Sequence, residues 1–223
     1  MNGDPREATG AAFSRDLQHA AQARAWKTLA LAAAMIEPGM DDVDGKAIVD
    51  QAIMDSGAER LWHASQVRFG PNTLLPFGET PQTPHILKSD DIFFLDIGPC
   101  YQGHEGDVGQ GFTLGWVPDF EALIGDSKTV FGAVKDHWQK SGCTGQELYD
   151  FARATATRMG RSMALKGASG HRIGDFPHGI HYRGKLIDYD KAPSSDLWIL
   201  EIHLVDHALG AGAFFEDILG SHC

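Results

Sequence analysis

A chain of 223 residues with 43% hydrophobic and 22% charged residues has room for one large domain with a substantial core, or for two small ones. Its formal net charge of −11 and pI near 5.3 argue against nucleic acid or an anionic membrane surface as partner. Three scattered cysteines (Cys100, Cys143 and Cys223) contain no CxxC pair, which excludes a disulfide framework or zinc ribbon and suits a reducing compartment. The N-terminal MNGDPREATG has neither the basic nor the apolar region of a signal peptide, and no apolar run reaches bilayer length. A cytoplasmic protein is expected.

In chain order, residues 1–10 are polar and are expected to fray, leaving 11–223 as a single domain. From Ala11 to Ile36 the apolar residues Phe13, Leu17, Ala21, Ala25, Leu29, Ala32 and Ile36 recur at three- and four-residue steps, which predicts a helix ended by Pro38 and Gly39. Asp42 opens a second helix that closes at Gly57. Residues 61–90 read as a strand at Gln66–Phe69 within a long loop broken by Pro71, Pro76, Gly78, Pro81 and Pro84, a length that often signals function. Asp90–Gly115 reads as a strand hairpin, followed by a helix over Phe120–Lys140. Thr144 and Glu147 form a capping box for a helix expected to reach Lys166, and strands return at Trp198–Val205 and Ala213–Leu219. The order is helix, helix, hairpin, twice over. It predicts an α+β fold of two pseudo-symmetric ααββ halves around a mainly antiparallel sheet.

Four carboxylates interrupt these apolar strands. Asp96 breaks Ile92–Ile97, Asp107 opens the next strand, Glu201 sits inside WILEIHLVD, and Glu216 sits inside AFFEDILG. A carboxylate in a buried strand costs several kcal/mol unless it is paired or bound to a metal. Turn or cap roles would account for the aspartates, and an edge strand or ion pair for one glutamate. Four such residues, with no run of Lys or Arg nearby, are more simply explained by a pair of divalent cations. Hard oxygen donors plus one imidazole suit Mn, Fe, Co or Zn. The imidazole candidate is His171 in GHRIG, with His178 seven residues on.

These residues resemble the pita-bread metallopeptidases, the family of methionine aminopeptidase, aminopeptidase P and prolidase, with creatinase as a relative of the same fold. The family pattern is two aspartates eleven residues apart, a histidine in a GHxIG-type segment, and two glutamates on late strands. Asp96 and Asp107 have that separation, His171 lies in GHRIG, and Glu201 and Glu216 follow in order. The resemblance covers about residues 15–220. It implies the pita-bread fold and two divalent metal ions held by Asp96, Asp107, His171, Glu201 and Glu216. One aspartate would chelate, the other would bridge together with Glu216, and His171 would complete one shell. Glu201 would act as general base on a metal-activated water, and His178 would polarise the substrate carbonyl. The implied activity is release of an N-terminal residue from short peptides.

Four departures fall on the substrate side. The family's further histidine, five residues after an asparagine, aligns with Phe77 in FGPNTLLPFG, counted from Asn72. His63 and His85 lie in the same loop and could replace it, although an ordinary exposed histidine is the expectation for each. Ile202 and His203 follow Glu201 where the family has Pro and Gly, and His203 shares a strand face with Glu201. Gly179 follows His178 where an acidic residue is usual, and Arg172 takes a position often small. Two alternatives stay open: a same-fold hydrolase or lyase acting on a non-peptide small molecule, and a silent binding module. His104 is expected in a solvated turn. Trp26, Trp62, Trp116, Trp138 and Trp198 are expected in the core or an interface, and Cys100 in packing. A homodimer covering the 61–90 loop would fit this reading.

Overall fold

Helix α1 (Arg15–Ala33) starts where the Ser14 side chain accepts the Leu17 N–H, and it buries Ala21, Ala25, Leu29 and Ala32 along one stripe. In α2 (Asp42–Asp55) the cap is Asp41, in a capping box with Asp44. Asp42 is therefore free for another task. Its buried carboxylate accepts the Phe69 N–H at 2.8 Å, the His85 N–H at 2.7 Å and the Asn72 side-chain amide at 3.0 Å, pinning much of the 61–90 segment.

The computed structural model describes residues 4–220. After α2 come β1 (Arg60–Leu61), β2 (Gln66–Phe69), β3 (Asp91–Ile97), β4 (Pro99–Tyr101), β5 (His104–Glu105) and β6 (Val108–Leu114). Then follow α3 (Pro118–Ser141), α4 (Gly145–Arg158), β7 (Ser162–Met163), β8 (His171–Arg172), β9 (Trp198–Asp206) and β10 (Ala211–Ile218). Among the described residues, seven strands form an antiparallel sheet in the order β2-β3-β6-β10-β9-β7, with β8 also on β9. The halves α1-α2-β3-β6 and α3-α4-β9-β10 meet where β6 pairs with β10. This is the expected ααββ duplication.

One face of the sheet is packed by helices. Phe93, Leu95 and Ile97 of β3 join Leu29, Val49 and Phe69 in the first core. Leu200, Ile202 and Leu204 of β9 join Leu123, Val134 and Leu148 in the second. Each such side chain contributes about 1.5–3 kcal/mol on burial. Strand alternation then turns Asp96, Glu201 and His203 to the opposite face.

Three expectations are corrected. The helix expected to reach Lys166 ends at Arg158, because Gly160 takes a left-handed turn (φ 73°) and the Arg161 N–H returns to the Ala156 carbonyl at 2.9 Å. The hairpin is not continuous: it breaks at Gly98 and Gly106, and its tip forms a separate sheet with β1. Residues 4–10 of the end expected to fray are tied down. Glu7 accepts from Ser194 and from the Trp198 indole, while the Arg6 and Ala8 carbonyls cap the buried Arg172 guanidinium.

Candidate functional site

The register places Gln66, Asp96, Gly109, Glu216 and Glu201 side by side across five adjacent strands. Paired residues project to one face, so three carboxylates share a single row. Strands two apart lie roughly 9–10 Å from each other. Gly109 leaves that gap open for Asp96 and Glu216 to converge: a Cβ there would stand 2.8 Å from Glu216 Oε1 and 2.5 Å from the Phe214 ring. Asp107 precedes Gly109 by two residues and shares its face. Its backbone is clamped by the α1 residue Gln22, which accepts the Asp107 N–H at 3.0 Å and donates to its carbonyl at 2.6 Å.

These carboxylates are almost fully enclosed, Asp96 being 2% exposed and Asp107 and Glu216 each 1%. Asp96 Oδ1, Asp107 Oδ2 and Glu216 Oε1 are buried oxygens that accept no hydrogen bond. Burial pushes Asp96 up to about 7, against the pull of the His63 imidazole. Burial, then the charges of Asp107, Asp96 and Glu201, pushes Glu216 well above the carboxylate range. Asp107 goes the other way: burial alone would raise it, but the imidazoles of His171 and His63 outweigh that and hold it low. Unsatisfied, enclosed oxygens beside imidazole nitrogen form a donor set that fits a divalent cation. Two groupings have their donor atoms within 4.8 Å of one another: His63, Asp96 and Asp107, and Asp107, His171 and Glu216. Glu201 belongs to neither; its Oε2 accepts the Ser169 and Gly170 N–H groups at 2.6 Å each, which leaves Oε1 for the cavity.

The row opens on a cavity of about 320 Å³, within the range of small-molecule sites. Trp62, Phe77, His178, Arg183, Lys185 and Glu201 are among its lining residues. Trp62 packs against three imidazoles, those of His63, His171 and His178, with ring centroids 4.3, 5.0 and 5.1 Å away. His178 is oriented by Glu105, whose buried carboxylate takes the ring Nδ1 at 2.5 Å and the backbone N–H at 3.1 Å. That assigns the proton of Nδ1 and leaves Nε2 for the cavity.

Asp96, Asp107, His171, His178, Glu201 and Glu216 are thus gathered around one cavity. His63 is not the exposed histidine expected, for its Nε2 lies 3.2 Å from Asp107 Oδ1 and 3.6 Å from Asp96 Oδ1. His85 lies away from the cavity, against Asp91 at 2.7 Å. His203 shares the face of Glu201 but bonds the Thr73 carbonyl at 2.8 Å, one row beyond, between Phe94 and Phe214. Burial lowers it to about 4, so it is a neutral core imidazole. His104 is buried rather than solvated: its Nε2 accepts the Ser14 N–H at 2.9 Å. Trp62 is a site wall, not core. Arg172 points away and holds the N-terminal segment, so it has no part in substrate handling. Glu105, Gln22 and Gly109 went unnoticed in the sequence. Glu105 carried a signal, since it alternates with Asp107.

Comparison with known proteins agrees with this geometry. The chain matches metallopeptidase family M24 over residues 16–219. No curated protein matches it significantly. Among solved structures, an X-Pro aminopeptidase from Thermotoga maritima MSB8 superposes with TM-score 0.75 at 16% identity, covering 98% of this chain and 63% of that one. A dipeptidase from Mycobacterium ulcerans gives 0.77 at 21%, covering 98% and 60%. A methionine aminopeptidase from Thermotoga maritima gives 0.64 at 16%, covering 92% and 95%. The chain therefore spans less than two-thirds of the first two and nearly all of the third. These likenesses establish the pita-bread α+β fold, and the match across 16–219 establishes membership: the chain belongs to metallopeptidase family M24.

Proposed function

We propose that residues 11–223 form a single catalytic domain that hydrolyses short peptides at the N-terminal bond, using two divalent cations held by Asp96, Asp107, His171, Glu201 and Glu216. The observation that carries this reading is the set of three enclosed carboxylate oxygens without hydrogen bonds at the floor of the cavity. Bound divalent cations would bring the pKa of a water toward neutrality. Glu201, with Oε2 fixed by two backbone amides, is held rigidly at the cavity wall, where its carboxylate would serve as the proton acceptor. His178 presents Nε2 to the substrate carbonyl, and Glu105 keeps the ring in place. Arg183 and Lys185 on the wall suit an acidic group, such as the free carboxylate of a dipeptide. Cys100 and Cys143, both buried free thiols, support a reducing, cytoplasmic setting.

Metal analysis of the purified protein for Mn, Fe, Co and Zn, combined with assays on Xaa-Pro, Met- and Ala-containing dipeptides, tests the proposal. Bound metal and peptide turnover are expected. If none of these ions is bound, and none alters thermal stability or turnover, the reading is wrong. Phe77, in the place of a family histidine, favours a second reading, a same-fold enzyme for a non-peptide small molecule. Turnover restricted to amides or betaines would select it. The complete donor set argues against a silent binding module.

A further inference from the structure

The two imidazoles nearest the carboxylate row have the same environment. His171 turns Nδ1 to the Arg172 carbonyl at 2.8 Å, and His63 turns Nδ1 to the Ala64 carbonyl at 3.0 Å. A carbonyl only accepts, so each ring carries its neutral-form proton on Nδ1 and has its lone pair on Nε2. Both Nε2 atoms face Asp107, one across each of its oxygens. His171 Nε2 lies 3.0 Å from Oδ2, and His63 Nε2 lies 3.2 Å from Oδ1. A lone pair facing a carboxylate oxygen is repulsive unless a proton or a cation lies between them. On the His63 side the contact is threefold, because Asp96 Oδ1 also stands 3.6 Å from the ring nitrogen and accepts no hydrogen bond.

The seat of His63 is built into the backbone. Gly98, two residues after Asp96, lies directly beneath the ring. A Cβ there would fall 2.1 Å from His63 Cδ2 and 2.3 Å from Nε2, so only glycine leaves room. Trp62 backs the imidazole at a centroid distance of 4.3 Å, and its own indole N–H is anchored on the Gly106 carbonyl at 3.1 Å. A histidine in a loose loop that merely met two aspartates would need neither the glycine seat nor the anchored wall.

We infer that His63 is a metal ligand, binding through Nε2 the cation held by Asp96 and Asp107, so that each cation of the proposed pair has its own imidazole. The inference rests on the dinuclear reading above and extends its donor set from one imidazole to two. The cavity would then differ from the family pattern on both sides, with Phe77 in place of a histidine on the substrate side and His63 added on the metal side. An added nitrogen donor and a lost substrate contact would shift both metal preference and substrate choice away from those of the family's peptidases.

The experiment uses Co(II) on the metal-free, full-length protein, with visible absorption to count sites and X-ray absorption to count imidazoles. The wild type is expected to bind two equivalents with an average of about one imidazole per cobalt. In His63→Ala one of the two sites is expected to weaken at least about tenfold, with the average imidazole count halved. Gly98→Ala keeps every donor but unseats the ring and is expected to weaken the same site, while His85→Ala leaves binding unchanged. If His63→Ala does not fold, the wild-type imidazole count decides by itself. Two equivalents with half an imidazole per cobalt would overturn the role of His63 and leave the dinuclear reading standing. Fewer than two equivalents in the wild type would overturn both.

Discussion

Glu105 spends its entire buried carboxylate on the turn around His178, taking the ring Nδ1, the His178 N–H and, at 3.3 Å, the Gly174 N–H. Glu105→Ala should therefore leave the ring free to rotate without touching any proposed metal ligand. Metal content is expected to stay at the wild-type level while kcat falls about tenfold or more, measured by steady-state kinetics and metal analysis on the same sample. If Glu201 is the proton acceptor proposed above, Glu201→Gln is expected to cut kcat more deeply, by about 10²–10⁴-fold.

Titration of the row sets a pH dependence for the metal-free protein. Asp96 is raised from 3.8 to about 7, so its protonated form contributes stability below pH 3.8 that is lost as pH rises through about 7. His63 and His171 are raised from 6.5 to about 9, and their contribution is present below 6.5 and lost as pH rises through about 9. Asp107, held low, acts oppositely and only at the acid end, where its contribution disappears as pH falls below 3.8. The thermal midpoint of chelator-treated protein is thus expected to fall between pH 5 and 9. Affinity for Mn(II) or Co(II) should climb over the same interval, since the ligands must shed protons to bind. Calorimetry and metal titration at several pH values check both trends. Single residues also mark the limit of what the sequence revealed. Asp96, Glu201 and Glu216 were legible because a charge breaking an apolar strand run needs a reason. His63 was not, because no periodicity in LWHAS reports which way a ring turns or that Gly98 lies beneath it.

At the level of elements, Gly109 is the spacer between two carboxylate-bearing strands. Gly109→Ala places a methyl against Glu216 and Phe214, with an expected cost of about 1–3 kcal/mol and loss of metal stoichiometry, read by denaturant unfolding and metal analysis. Helix α1 acts at a distance through Gln22. In Gln22→Ala the buried N–H and carbonyl of Asp107 lose their partner, at about 1–3 kcal/mol. Helix positions themselves were readable from apolar spacing and capping residues. The end of α4 was misread because Met163, Ala164, Leu165 and Lys166 are good helix formers, and propensity hid the break that Gly160 makes. The expected hairpin failed at Gly98 and Gly106 for the opposite reason: backbone needs outweighed strand pattern.

Across the molecule, the N-terminal segment and the second half hold each other. Arg172 donates to the carbonyls of Arg6 and Ala8, and Glu7 caps Ser194 and Trp198. Deleting residues 1–10 would strand a buried guanidinium and an indole N–H. We expect a loss of at least about 2 kcal/mol, a fall in Tm of about 4–8 °C by calorimetry.

The pairing of β6 with β10 carries a consequence for how the protein is held shut. Two residue pairs join these strands, Phe215 with Gln110 and Glu216 with Gly109, against eight between β9 and β10. This two-pair seam, where the two halves of the sheet meet, thus runs directly beneath the carboxylate row, with Asp96 and Asp107 on one bank and His171, Glu201 and Glu216 on the other. A cation bound there, as proposed, would be a rivet across the seam, and without it the two banks would be joined at this level by those two residue pairs alone. Chelation is expected to speed deuterium uptake at 109–111 and 214–216 while the amides of α3 stay protected. Metal supply would then govern how long the folded chain survives as well as how fast it turns over substrate.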